Sequence, residues 1–423
     1  MNPATQASFF GLGIAPAILD TLERLRFKVP TPIQERAIPP GLEGKDVLGI
    51  AQTGTGKTLA FGIPLVQRLA QSGGKALILV PTRELALQVD ETMQKIGAPL
   101  HLKTAVLIGG ASMGLQLTLL KRGARILIAT PGRLMDHMNQ RTVDLRDVKG
   151  LVLDEADRMM DMGFAPQIEK IVRQVPKDRQ TMLFSATMPS EILQMATGYM
   201  KLPLRIEVAP QGTVADKVVQ ELFIVKADSK RTLLDKILKQ YHGSVLLFTR
   251  TKQGAKKVAR SVREMKHSSS EIHSNRSLNQ RREALEGFRS GKYRVLVATD
   301  IASRGIDVKG IELVINYDLP DDSENYIHRI GRTGRAGLEG RAITFATPDQ
   351  GGDVRSIERV MRLPLSVSQH PDVPNERFSS SAPGQRPRGN YPQKRRPFNR
   401  PGGHGGHGGG NRPTQVRYSS HPR

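Results

Sequence analysis

Short apolar runs bounded by Gly, Pro and charged residues alternate with longer amphipathic stretches through most of this 423-residue chain. Continuous apolar runs predict strands buried on both faces, and stretches with helical periodicity predict the helices between them. The pattern places strands at Val47–Ile50, Ala76–Val80, Thr104–Ile108, Ile126–Ala129, Leu151–Leu153 and Thr181–Phe184. Strands alternating with helices imply an α/β fold built on one doubly wound parallel sheet. A second series then starts, at Leu222–Val225, Val245–Phe248, Val295–Ala298, Leu313–Ile315 and Ala342–Phe345. Pro/Gly punctuation from Leu202 to Thr213 reads as the connection between the two. The boundaries expected are a first lobe at 1–208, a link at 209–217 and a second lobe at 218–365.

From Ser366 the pattern breaks into Pro, Gly, Ser, Asn and Arg with few large apolar residues. Such a segment cannot offset the entropy of ordering its backbone, so residues 366–423 read as a disordered basic tail. Its arginines, among them Arg386, Arg388, Arg395 and Arg396, are interleaved with Tyr391, Phe398 and Tyr418. That mixture suits contact with phosphates and single-stranded bases, the plain alternative being a tail that only aids solubility.

Charge adds a partner to this picture. The chain carries 63 Lys+Arg against 40 Asp+Glu, a net +23. Residues 371–423 hold only +8 of it, so the folded part is itself basic at +15 and suits a polyanion. The absence of cysteine excludes disulfides, thiolate zinc sites and cysteine nucleophiles. No apolar run reaches membrane-spanning length and the first residues do not form a secretory signal, so a cytoplasmic protein without a membrane role is expected.

Two segments carry chemistry. Ala51-Gln52-Thr53-Gly54-Thr55-Gly56-Lys57-Thr58 follows a strand and opens a helix. It has the character of a phosphate loop, with Ala51 where the first Gly is usual. Gly54 and Gly56 let backbone N–H groups turn toward a phosphate, Lys57 reaches the β- and γ-phosphates, and Thr58 serves Mg²⁺. Asp154-Glu155-Ala156-Asp157 ends another strand, where open α/β sheets bind ligands. Asp154 then serves Mg²⁺ directly or through a water, and Glu155 orients and deprotonates an attacking water. Together the two segments suit hydrolysis of a nucleoside triphosphate on Mg²⁺.

The stretch from Asp154 to Phe164 resembles the signature of DEAD-box RNA helicases, and the similarity runs in motif order over residues 9–345. It implies two tandem RecA-like lobes. Phe27-Lys28-Val29-Pro30-Thr31-Pro32-Ile33-Gln34 resembles the adenine-reading motif, which implies Gln34 on the adenine edge, Phe27 stacked on the ring and Phe9 bracing the site. The ATP set it implies further includes Thr53, Thr55, Gly305 and Asp307, the last on the ribose. His328 to Arg335 resembles the arginine-finger motif, with Arg332 and Arg335 meeting the γ-phosphate once the lobes close. Ser185, Thr187, Asp157 and His328 are implied to couple hydrolysis to strand separation.

The same resemblance implies backbone-only RNA contacts from Thr82, Arg83, Gly109, Gly110, Thr130 and Arg133 in the first lobe, and from Arg250, Arg281, Thr299 and Asp300 in the second. Charges, hydroxyls and glycines of this kind hold phosphates without reading bases, and RNA is told from DNA by its 2′-hydroxyl. With 4% aromatic residues and no Trp, the core is not built for base stacking. Ser274 and Leu278 stand where the family usually has Gly and Gln, which predicts RNA contact weakened by about 1 kcal/mol unless Asn279 or Gln280 substitutes. Arg26 stands where Gly usually precedes the adenine-motif aromatic.

The expected function is ATP-dependent local unwinding of short RNA duplexes by a monomeric core, with ribosomal or RNA-decay proteins as possible partners. The alternatives are an ATP-switched RNA clamp or chaperone without productive unwinding, and a DNA helicase. The compact core and bare basic tail resemble the bacterial RhlE-like group.

Overall fold

The computed structural model describes residues 8–52, 54–208, 218–300, 308, 310–334 and 340–379. The first sheet comprises β1 (Val47–Ile50), β2 (Lys75–Leu79), β3 (Thr104–Leu107), β4 (Ile126–Ala129), β5 (Val148–Leu153), β6 (Gln180–Ser185) and β7 (Leu204–Glu207). The second comprises β8 (Val218–Ile224), β9 (Val245–Phe248), β10 (Ser269–Ile272), β11 (Val295–Ala298), β12 (Leu313–Asn316), β13 (Gly340–Ala346) and β14 (Ser366–Val367). Their orders are β3-β4-β2-β5-β6-β1-β7 and β10-β11-β9-β12-β13-β8-β14. The second is the first shifted by seven, so the two lobes repeat one topology. Every pairing among the described strands is parallel.

Apolar side chains on both faces explain the continuous runs. Along β2, Ala76 and Ile78 enter the cluster that contains Phe61, Val152 and Phe184, while Leu77 and Leu79 enter the one that contains Leu127, Leu151 and Leu183. The second lobe divides in the same way, with Leu246 and Phe248 on one face of β9 and Val245 and Leu247 on the other. Each such side chain contributes about 1.5–3 kcal/mol of burial. A Cβ at Gly49 of β1 would run into the Phe184 ring, so the glycine lets that ring lie against the strand.

Strands β7, β10 and β14 were not expected from the pattern, and all three are outermost in their sheets. Edge strands bury little and lose the apolar signature: β7 buries only Ile206, and both residues of β14 are exposed. In β10 the buried Glu271 is held by Arg263 and Arg276, which replaces apolar burial with ion pairs. Thus Leu204–Glu207, read as part of the connection, is a strand paired with β1. Residues 366–379, read as the start of the tail, pack on the second lobe: β14 pairs with β8, Val373 joins the core and Phe378 packs against it. The link at 209–217 and the tail beyond 379 lie outside the described residues. Among those described, no helix is long and apolar enough to cross a membrane.

The strand order positions the functional segments. In the first sheet β1, β6 and β5 are neighbours, so their carboxyl ends bring together the phosphate loop, Ser185–Thr187 and Asp154. Strands β3, β4 and β2 form the other half, and their carboxyl ends carry Gly109, Thr130 and Thr82. The second sheet repeats that half as β10, β11 and β9, which lead into His273, Thr299 and Arg250.

Candidate functional site

Gly54 and Gly56 have φ of 87° and 88°, the left-handed region where a side chain is costly. Thr55 Oγ1 donates to the Gln52 carbonyl at 2.7 Å and closes the loop. Helix Lys57–Ser72 starts directly after Gly56, whose missing side chain leaves the first N–H groups open to an anion. Thr58, in the first turn, is half-buried. Lys57 is 6% exposed and its Nζ has no hydrogen-bond partner. A buried ammonium in that state calls for an anionic ligand, and a phosphate fits it. Thr53 lies outside the described residues.

Facing it is the end of β5. The Asp154 N–H donates to the Leu79 carbonyl at 3.0 Å, and Asp154 Oδ1 accepts from the Glu155 N–H at 3.0 Å. Burial pushes the Asp154 carboxyl up to about 6, against the pull of Lys57, with the Glu155 charge adding to the rise. A carboxylate so short of compensation fits a cation. Among the described residues no three His, Asp or Glu side chains form a ready cage; Mg²⁺ on nucleotide phosphates needs only one or two carboxylates.

A folded-state value above the unfolded one means stability is lost as pH rises from about 4 to about 6. Asp154→Asn is therefore expected to stabilise the nucleotide-free protein at neutral pH by about 1–3 kcal/mol while abolishing ATP turnover. Thermal unfolding and an ATPase assay check both halves.

Glu155 adopts φ 52° at the N-terminus of helix Ala156–Asp161, a strained conformation of the kind that costs about 1–3 kcal/mol and aims a side chain. One turn on, Arg158 donates from Nη1 to Glu155 Oε2 at 2.7 Å, with both side chains buried. Burial pushes the Glu155 carboxyl up, but Arg158, Lys57 and Arg332 outweigh it and hold it below the ordinary value.

Asp157 Oδ2 accepts from the N–H groups of Ala186 and Thr187 at 3.0 Å each and from Thr187 Oγ1 at 3.1 Å. The acidic motif is thereby tied to the segment after β6. Ser185 plays no part in that tie, since its buried Oγ has no hydrogen-bond partner.

From the second lobe, His328 Nδ1 lies 3.5 Å from Arg158 Nη2. Burial, reinforced by Arg158, pushes the His328 imidazole down to about 4, so it is neutral. Arg332 is buried, donates from Nε to the His328 carbonyl at 3.2 Å and acts on Glu155. Residues of both lobes thus surround one acidic motif. Arg335, Gly305 and Asp307 lie outside the described residues.

Gln34 is buried with its amide spent within the protein: Oε1 accepts from the Thr31 N–H at 2.9 Å and Nε2 donates to the Gly56 carbonyl at 3.0 Å. Its side chain thus touches the phosphate loop. Phe27 is 45% exposed and open for stacking, whereas Phe9 belongs to the core beneath. Arg26 has φ 60°, which explains a glycine preference at that position.

Along the other half of the first sheet, Thr82 caps helix Arg83–Gly97, its Oγ1 accepting from the Leu85 N–H. Arg83 lies against Gly109 and Gly110, where added Cβ atoms would meet its guanidinium. Thr130 precedes helix Pro131–Asn139, and Arg133 Nη1 donates to the Ala111 carbonyl at 3.0 Å. These lobe-one candidates gather on one edge.

The second-lobe candidates divide. Arg250 is exposed and pairs with Asp321, and Thr299 is half-buried at the end of β11. The Asp300 carboxylate accepts from Arg329 Nε and Nη2 at 2.6 and 2.7 Å, so its charge is engaged inside the lobe. Arg281 reaches into the first lobe, donating from Nη2 to Glu84 Oε2 at 2.7 Å, with both groups buried. Burial pushes Glu84 up and Arg281 down despite their attraction. Such a pair adds little net stability, but removing either partner leaves an uncompensated buried charge in the contact between lobes.

Comparison with known proteins agrees with this geometry. Residues 31–195 match the DEAD/DEAH box helicase family and residues 229–337 the helicase conserved C-terminal domain. The ATP-dependent RNA helicase CshA of Listeria monocytogenes is 42% identical over 366 residues, spanning 86% of this chain and 70% of the relative. The chain belongs to the DEAD-box ATP-dependent RNA helicases. The ATP-dependent rRNA helicase RRP3 of Debaryomyces hansenii is likewise 42% identical, over 80% of this helicase and 72% of the relative. Among solved structures, S. cerevisiae Dbp5 bound to RNA and ADP BeF3 superposes with a TM-score of 0.76 at 31% identity, over 85% of this chain and 95% of that one.

Two participants in the helicase site, Arg158 and Glu84, were given no role in the sequence reading. Arg158 lay inside the quoted acidic motif; its spacing from Glu155 suits a one-turn pair, but only with Glu155 at the helix start. Glu84 and Arg281 are 197 positions apart, with no local signal joining them. Leu278, where Gln is usual, packs against the apolar cluster of the first lobe, an interlobe apolar contact. Gln280 has its Oε1 engaged by the Ser277 N–H in the cap of helix Leu278–Arg289. Ser274 has no left-handed φ, so glycine is not required there.

Proposed function

We propose that this RNA helicase hydrolyses ATP at the carboxyl ends of β1, β6 and β5 and completes that site only with the second lobe in contact. The carrying observation is the convergence on Glu155 and Arg158 of Lys57 and Asp157 from the first lobe with His328 and Arg332 from the second. Lys57 neutralises the β- and γ-phosphates, Gly54 and Gly56 shape the cradle, and Thr58 and Asp154 hold Mg²⁺. The metal, when bound, neutralises charge on the phosphate oxygens. Glu155 accepts the proton of the attacking water. Arg158, with Lys57 and Arg332, keeps that carboxylate ionised against its burial and so ready to accept the proton. Arg332, with Arg335, stabilises charge at the γ-phosphate. Phe27 stacks on adenine, Gln34 exchanges Gly56 for the adenine edge, and Asp307 and Gly305 take the ribose side.

Asp157, bonded to Thr187, transmits the state of the nucleotide to the sheet end, with His328 reporting from the other lobe. The RNA backbone lies along Thr82, Arg83, Gly109, Gly110, Thr130 and Arg133, then across Arg250 and Thr299 of the second lobe. Arg281 pairs there with Glu84 rather than acting as a free phosphate ligand. Closure bends one strand so that a short duplex loses its partner strand, and hydrolysis reopens the lobes.

The experiment is ATP turnover with single-stranded RNA or DNA of one sequence. RNA is expected to stimulate by tenfold or more and DNA not; equal stimulation by both contradicts an RNA-reading core.

The compact core and basic tail support placement in the RhlE-like group, while the relatives above carry other names. The rRNA helicases among them support structured ribosomal RNA as substrate. We place the protein in the cytoplasm as a monomer, with the tail as an added RNA contact and ribosomal or decay proteins as partners.

A further inference from the structure

The Gly109–Gly110 loop has no side chains of its own with which to hold its shape, and Gly110 sits at φ 78°. Its conformation is set by its neighbours, Arg133 on the Ala111 carbonyl at 3.0 Å and a second donor beneath. Gln116, buried in helix Met113–Lys121, donates from Nε2 to the Ile108 carbonyl at 3.1 Å and toward the Ala111 carbonyl at 3.4 Å. Those two oxygens bracket the glycine pair. Two carbonyls require the amide nitrogen on their side, so Gln116 Oε1 must face away from the loop.

What it faces is His137, fully buried in helix Pro131–Asn139. His137 Nε2 lies 3.1 Å from Gln116 Oε1, and a carbonyl oxygen can only accept, so Nε2 carries the proton. A neutral imidazole then has Nδ1 left as acceptor, and Thr142 Oγ1 stands 2.8 Å from it. Burial and the nearby Arg133, against Asp136 alone, hold the ring below its ordinary pKa and so in that neutral form. The Thr142 hydroxyl also lies 3.0 Å from the His137 carbonyl. Its one hydrogen serves either that carbonyl or Nδ1, and the line of donors runs from His137 Nε2 through Gln116 to the loop.

We propose that His137 is a positioning residue for RNA binding: its Nε2–H locks the Gln116 amide, which holds the Gly109–Gly110 loop in the shape that accepts the RNA backbone. Inverting the amide would set its oxygen against two carbonyl oxygens, and losing the imidazole donor removes the third contact that opposes that inversion. This inference rests on the reading of the loop as an RNA contact. His137 touches neither RNA nor nucleotide, so its effect belongs to the RNA requirement and not to nucleotide affinity.

The test measures RNA-stimulated ATP turnover against RNA concentration. His137→Phe keeps a ring but removes the donor; the RNA needed for half-maximal turnover is expected to rise about tenfold, the scale of one buried hydrogen bond. The plateau rate and ADP affinity without RNA stay as in wild type. His137→Gln, whose amide can again donate to Gln116, returns the requirement to within about threefold of wild type. Thr142→Val, at a half-buried position, gives a reading should His137→Phe fail to fold, with a rise of about threefold.

An unchanged RNA requirement in His137→Phe or, where that variant does not fold, in Thr142→Val overturns the proposal. Equal impairment of His137→Phe and His137→Gln does so too, since that is loss of packing alone. Arg83→Ala separates the two levels. If it raises the RNA requirement and His137→Phe does not, only the positioning role fails; if neither does, the loop is not the RNA contact.

Discussion

Glu155→Gln is expected to lower RNA-stimulated ATP turnover by about 10²–10⁴ while leaving nucleotide affinity within a few-fold of wild type. The side chain keeps its length and an oxygen for Arg158 to donate to, so the strained backbone at φ 52° and the buried contact both survive. What disappears is the carboxylate, and with it the acceptor for the proton of the attacking water. Because Arg158, Lys57 and Arg332 hold Glu155 ionised against burial, the wild-type base is already deprotonated at neutral pH. The variant should therefore bind ATP and RNA together and remain closed on them. Steady-state turnover beside equilibrium binding of ATP separates the two effects, and a turnover within tenfold of wild type would remove Glu155 from the proton transfer.

Arg332→Ala is expected to cost about 10³–10⁵ in turnover at saturating RNA, the scale of an arginine finger. Arg332 is buried, anchored on the His328 carbonyl and close enough to Glu155 to lower its pKa. Yet it belongs to the second lobe, whereas the phosphate cradle belongs wholly to the first. ATP affinity without RNA should therefore change little, and the loss should appear in turnover alone. The informative measurement is single-turnover hydrolysis on prebound ATP. A variant that hydrolyses within tenfold of wild type would show that the first lobe suffices.

Both expectations depend on a division that was largely legible in the sequence. The strands interior to each sheet declare themselves because both faces are buried, as the alternation of Ile78 with Leu77 and Leu79 shows. The edge strands β7 and β14 lack that second buried face, and in β10 it is occupied by Ser269 and the ion-paired Glu271 instead of apolar residues. The phosphate loop was legible because its geometry demands glycine, and Gly54 and Gly56 do occupy left-handed φ.

Harder to read were the residues that act through others. Gln34 was expected on adenine; its amide also bonds Thr31 and Gly56, the latter across 22 positions, which no local signal announces. Ser185 was grouped with Thr187, but only Thr187 reaches Asp157: Ser185 is the last residue of β6 with its Oγ buried in the sheet, whereas Thr187 lies in the segment beyond the strand. Asp300 sits among RNA candidates in the chain, but the fold sets Arg329 beside it. Partners brought together by the sheet order leave no periodicity for the sequence to display.

The central claim is that strand separation is driven by ATP hydrolysis at a site both lobes complete. It is tested most directly by following separation of a short RNA duplex with the wild-type chain and with the double substitution Lys57→Ala, Glu155→Gln. The wild-type chain should separate the strands only with ATP, and the double variant should separate none above the spontaneous rate. Separation by the double variant at the wild-type rate would contradict the account.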